Sequence, residues 1–143
     1  MYFAAGKELG KIVVAECEPG DNLLAAIMDC LNKNQIAHAV LLSGVATLDR
    51  VNYHYVHDCR FPPKEHHVHE AGAYEVSGIS GFVFQGEPHI HFTAQDLNTG
   101  KCVAAHLEPD TRVLYVAEIV MAEVKEMDAF KRISYADKVI LDE

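Results

Sequence analysis

Apolar and polar positions alternate along most of this chain, and in one place they change period. Lys11 to Glu16, KIVVAE, is a β-branched run that predicts a first strand. Glu18-Pro19-Gly20 breaks it. Leu23, Leu24, Ile27, Met28 and Leu31 then recur at helical spacing, with Asp21 placed ahead of them as the N-cap and Asn32-Lys33-Asn34 closing the segment. That apolar stripe predicts a helix laid on a sheet. His38 to Leu48 reads as an apolar strand with Gly44 inside it. Val51 to His57, VNYHYVH, alternates, with Val51, Tyr53, Tyr55 and His57 on one side and Asn52, His54 and Val56 on the other.

From Asp58 to Gly72 the alternation fails. Pro62-Pro63 opposes strand pairing, and KEHHVHE reads as a polar loop carrying His66, His67 and His69. Tyr74 to Gln85 is a strand interrupted by Gly78 and Gly81, and Gly86-Glu87 makes a tight turn. Arg112 to Val124 is a further long strand. Lys125 to Glu143 is a C-terminal extension with a short helix over Asp128–Arg132, its apolar residues suited to packing on a neighbouring subunit. The pattern predicts an α+β fold. It is a single domain over residues 1–143, with its core at about 11–124, a curved and mainly antiparallel β-sheet, and one main helix packed on it.

Pro88 to Glu108, PHIHFTAQDLNTGKCVAAHLE, is a β-hairpin around Asn98-Thr99-Gly100. His89 and His91 share a face because side chains alternate with period two. With Leu97 to Gly100 as a four-residue loop, Asp96 faces Lys101 and His91 faces His106. His89 is then the diagonal neighbour of His106. Three imidazoles converging from two strands match an open tetrahedral zinc site. A loop shorter by one residue would turn His106 to the opposite face. Histidines spaced in this way also occur on strands with no metal to hold.

Length changes this picture little, since 143 residues suffice for one substantial core. Charge changes it more. The net charge of −9 opposes nucleic-acid binding, which depends on Lys and Arg neutralising phosphates. Cys17, Cys30, Cys59 and Cys102 are scattered without a CxxC, and are expected to be free thiols. No apolar run approaches a membrane span, and the N-terminus lacks the apolar core of a secretory signal. A cytoplasmic protein with no membrane partner is the expectation.

Glu118, inside the apolar strand RVLYVAEIVMAEV, is the candidate catalytic residue. A carboxylate there must be paired, exposed or protonated, and an exposed or structurally paired Glu is the plainer alternative. Glu87, Glu108 or a histidine of the 66–69 segment could also serve as base or proton shuttle. The plainer reading of that segment is a solvated loop with no role, and the pattern assigns no role to His54 or His57.

Taken together, Glu18–Val51, Gly72–Val83 and Pro88–Pro109 resemble the plant and prokaryote conserved (PPC) domain, also called DUF296 or the PD1-like DNA-binding-motif domain. Its helix entry is matched by EPGDNLLAAI. The hexapeptide of its plant members is similar to Gly72-Ala73-Tyr74-Glu75-Val76-Ser77, with Ala73 where they carry Arg. Its Pro-x-x-His-x-His, Asp-x-x-Gly and Gly-His-Leu elements resemble the histidine hairpin. The resemblance implies a homotrimer, with His89, His91 and His106 as the three histidines that some prokaryotic members use to hold a metal. In plant members DNA binding belongs to a separate AT-hook, and this chain has none.

The function expected from these readings is binding of one divalent ion per subunit, zinc, in an open site acting on a small polar molecule. The alternatives are a non-catalytic ligand or metal sensor with a partner surface around Tyr74–Val76, and a DNA-binding protein, which the charge opposes.

Overall fold

The computed structural model describes residues 3–128 and the backbone of 139–142. In chain order the elements are β1 (Glu8–Cys17), α1 (Leu23–Lys33), β2 (His38–Val56), β3 (Lys64–Phe84), β4 (Glu87–Asp96), β5 (Cys102–Leu107), β6 (Arg112–Lys125) and β7 (Val139–Asp142). The strands form one sheet in the order β1-β6-β2-β5-β4-β3-β7. All pairings are antiparallel except that of β7 with β3. The short helix expected over Asp128–Arg132 lies outside the described residues, apart from Asp128 itself.

The fold is mostly β, more so than the α+β expectation allowed. One helix of 11 residues stands beside strands as long as 21 residues. Strands continue where the sequence shows breaks. Val51 to Val56 is the second half of β2, which passes Asp49 through a register shift between Leu48 and Arg50. The expected irregular stretch from Asp58 to Gly72 is mostly strand as well. Pro62 and Pro63 sit in the short connection before β3, so they cost the ladder nothing. His66, His67 and His69 therefore lie on a strand, opposite Tyr55, His54 and Asn52 of β2.

The helix starts one residue later than its expected cap. Asn22, not Asp21, accepts from the Ala25 amide at 3.0 Å, while the Asp21 carboxylate accepts from the Glu18 amide at 2.9 Å. The α1 stripe of Leu23, Ile27 and Leu31 is buried against β1 and β6. Ile90, Phe92, Leu107, Ile119 and Met121 belong to the same core.

The sheet also closes on itself. β2 pairs with β3 along one edge. Along the other it pairs with β6 and then, at Tyr53 and His54, with β5. Because β3 pairs with β4 and β4 with β5, strands β2 to β5 form a ring. Gly81 lets that ring close tightly. It has φ +139°, and a Cβ there would lie 2.1 Å from the His89 carbonyl oxygen. All four cysteines are free, as expected, with only Cys17 buried. Among the described residues no helix is long and apolar enough to cross a membrane.

Candidate metal centre

The β4–β5 turn sets the register on which the centre depends. Asp96 donates its amide to the Lys101 carbonyl at 2.8 Å, and Gly100 donates back to the Asp96 carbonyl at 2.8 Å. The Asp96 carboxylate accepts from the Asn98 amide at 2.9 Å and the Thr99 hydroxyl at 2.7 Å. These bonds close the four-residue loop Leu97–Gly100, and His91 stands opposite His106. Both features match the sequence expectation.

His89, His91 and His106 each offer a ring nitrogen, and these atoms all lie within 4.8 Å of one another. The Nε2 atoms of His89 and His91 are 3.3 Å apart. Donors bonded tetrahedrally at ~2.0–2.1 Å are separated by about 3.3–3.4 Å, so this pair is already at ligand spacing. His106 is oriented for the same role. Its Nδ1 lies 3.2 Å from the Leu107 carbonyl oxygen, which can only accept. The proton therefore sits on Nδ1, and Nε2 keeps its lone pair. The donor set fits a zinc-like ion.

The histidines do not stop at three. His91 pairs with His106, His106 with His54, and His54 with His67, a single row across β4, β5, β2 and β3. The rings of His54 and His106 are stacked at 4.3 Å, and those of His54 and His67 at 5.0 Å. Glu108 joins this row just past the end of β5. Its Oε1 is 2.5 Å from His54 Nδ1 and 3.5 Å from His106 Nδ1. At the far end His67 Nε2 is 3.7 Å from the Glu65 carboxylate.

This half-buried setting decides the charges. Burial pushes the His106 imidazole down to about 4, with the neighbouring charge of His54 adding to it. The Leu107 carbonyl and Glu108 pull the other way and lose. Burial likewise lowers His91. Burial alone would raise Glu108, but the hydrogen bond from His54 and the charges of His54, His106 and His67 together hold it below the usual carboxylate range. Burial thus favours the neutral form of His91 and His106 beside the Glu108 anion, the state in which histidine ligates metal.

Sequence reasoning named the three hairpin histidines and Glu108. It offered the 66–69 segment only as a loop and gave His54 no role, because Pro62 and Pro63 hid the pairing of β2 with β3 that places His54 and His67 beside the site. The alternation of His67 and His69 about Val68 in KEHHVHE was the available signal. Glu118 lies elsewhere. It is exposed on β6, opposite Glu16 of β1 and Val45 of β2. Val45 is nine residues along β2 from His54, roughly 30 Å of strand at ~3.3 Å per residue. Within one chain Glu118 is thus too far away to act as a base at this site. Glu87, exposed at the start of β4, is not in a metal-compatible group among the described residues. Tyr74 and Val76 are buried, so of the expected partner surface only Glu75 faces outward.

The sequence profile of the Plants and Prokaryotes Conserved (PCC) domain matches residues 4–125. Among solved structures, a plant- and prokaryote-conserved protein from Pyrococcus horikoshii is 26% identical, with a TM-score of 0.72 over 90% of this chain and 88% of that one. A metal-containing protein from Archaeoglobus fulgidus is 18% identical, with a TM-score of 0.71 over 87% and 86%. A protein from Bacteroides thetaiotaomicron named as a candidate DNA-binding protein is 13% identical, with a TM-score of 0.70 over 86% and 85%. No curated protein matches the chain.

Proposed function

The chain belongs to the Plants and Prokaryotes Conserved domain family, and from that premise we propose that it binds one divalent ion per chain through His89, His91 and His106 and acts on a small polar molecule there. The observation that carries the reading is the grouping of three imidazole nitrogens within 4.8 Å of one another, two of them 3.3 Å apart. Three neutral nitrogen donors suit zinc, and three protein ligands leave a tetrahedral position for substrate. The metal content named for the Archaeoglobus fulgidus protein agrees with this reading but, at 18% identity, shares only the fold. When bound, the ion supplies Lewis acidity and activation of water.

The chain's own residues supply the rest. Glu108, a carboxylate held below its usual range, accepts from His54 Nδ1 at 2.5 Å and is the proton acceptor beside the donor set. The Leu107 carbonyl fixes the tautomer of His106. Phe82 packs beside His89, with ring centroids 5.3 Å apart, and keeps water off that flank. A proton acceptor next to the donor set favours an enzyme over a sensor, which needs none. Nucleic acid is outside the reading, because Asp and Glu outnumber Lys and Arg by 21 to 12.

Mass spectrometry of tag-free protein tests the reading. We expect close to one metal ion per chain, and none in a folded His89→Ala/His91→Ala/His106→Ala variant. A parent that holds no ion even after zinc is added overturns it.

A further inference from the structure

Glu108 and His54 are more than companions of the three-histidine set. With His106 they make a second group of donors whose ligand atoms all lie within 4.8 Å of one another. The chemistry of this group differs from the first. It contains two imidazoles and one carboxylate, a combination that serves harder ions such as Fe(II) and Mn(II). The geometry also differs. Nδ1 of both His54 and His106 faces the same oxygen, Glu108 Oε1, at 2.5 and 3.5 Å. Neighbouring ligands bonded at ~2.1 Å at right angles are about 3 Å apart, and the two observed distances straddle that value. The adjustment falls on the Glu108 side chain, since its backbone is held by its amide on the Asn52 carbonyl at 3.0 Å.

We propose that His54, His106 and Glu108 form a second cation site, which takes a hard divalent ion and excludes simultaneous occupation of the three-histidine site. The two sites share only His106, so each stands or falls separately. His106 is also what makes them exclusive. With its proton on Nδ1, donated to the Leu107 carbonyl, it offers Nε2 to His89 and His91. With its proton on Nε2, it gives up that hydrogen bond and offers Nδ1 to the group around Glu108. The proton now held between His54 Nδ1 and Glu108 Oε1 leaves to solvent when the ion enters.

The probe is Mn(II) alone, with free ion counted by its electron paramagnetic resonance signal. His91 is exposed and belongs only to the first group, so His91→Ala removes that group and leaves the second whole. His89→Ala serves as an independent version of the same deletion. Folding of each variant is checked by circular dichroism. We expect His91→Ala to bind one Mn(II) per chain, and added Glu108→Gln to weaken that binding at least tenfold. Folded His91→Ala and His89→Ala proteins that take up no Mn(II) overturn the second site, as does unchanged binding after Glu108→Gln. Zinc uptake by the parent chain reports the three-histidine set separately. Zinc held with no Mn(II) in the variants leaves the first reading standing alone, and the reverse result leaves only the second.

Discussion

At the scale of single residues, His106 carries most of the consequences. Its folded pKa of about 4 lies below the ~6.5 of an unfolded histidine. The unfolded chain therefore binds a proton that the folded one refuses. Stability is full above pH ~6.5 and declines as pH falls toward 4. The whole difference is on the order of 3 kcal/mol at 1.36 kcal/mol per unit. Glu108 adds a loss of the same sign at lower pH, because its folded pKa is depressed and protonation breaks its bond to His54. Urea unfolding of metal-free protein from pH 7 to pH 4 should thus show a falling midpoint. His106→Gln should flatten that slope between pH 6.5 and 4. A slope unchanged by the substitution would mean that another group sets the acid sensitivity.

At the scale of elements, the hairpin and its neighbours show what sequence can and cannot specify. The register of β4 with β5 was legible because a turn of Asp96, Asn98, Thr99 and Gly100 fixes it locally, and period-two alternation does the rest. The stripe of α1 was legible for the same reason. The pairing of β2 with β3 was not. It brings His54 to His67 across a short connection closed by the His57 amide on the Lys64 carbonyl at 2.8 Å, but the two prolines there carry no hairpin signal that the sequence pattern could read. The place of Glu118, by contrast, depends on long-range pairing. Its strand was correctly read, but the strands beside it place it far from the histidines. Gly81 marks where two elements press together, since any side chain there meets the His89 backbone in a conformation that disfavours L residues. Gly81→Ala should cost about 1–3 kcal/mol of stability, measured by urea titration. It should also weaken zinc binding, because relief of the clash moves β4 and with it His89. Full zinc affinity in a destabilised variant would show that His89 is positioned without the β3–β4 contact.

At the scale of the molecule, the outer face of β1, β6 and β2 remains to be covered. Ile12 and Val14 of β1 are 68% and 60% exposed, and Leu42 and Val45 of β2 are 51% and 46% exposed. Val14 stands directly opposite Val120, and Val45 opposite Glu118, so apolar side chains of three strands share this face with the Glu118 carboxylate. Helix α1 covers the other side of β1 and β6 and cannot reach it. Exposed apolar side chains grouped on one sheet face are a surface for association. We propose that the occupant is two further copies of the chain in a closed trimer, as the family resemblance implies. A net charge of −9 per chain opposes that association over long range, so the contact must rest on apolar burial. Burying a valine contributes about 1.5–3 kcal/mol, and a carboxylate in its place adds a desolvation cost. Val14→Asp/Val45→Asp should therefore convert a trimer to folded monomers in light scattering. Both side chains already face outward in the single chain, so the fold should survive the change. A parent chain that scatters as a monomer would mean that the patch serves another partner, and a variant that stays trimeric would move the interface to a different face.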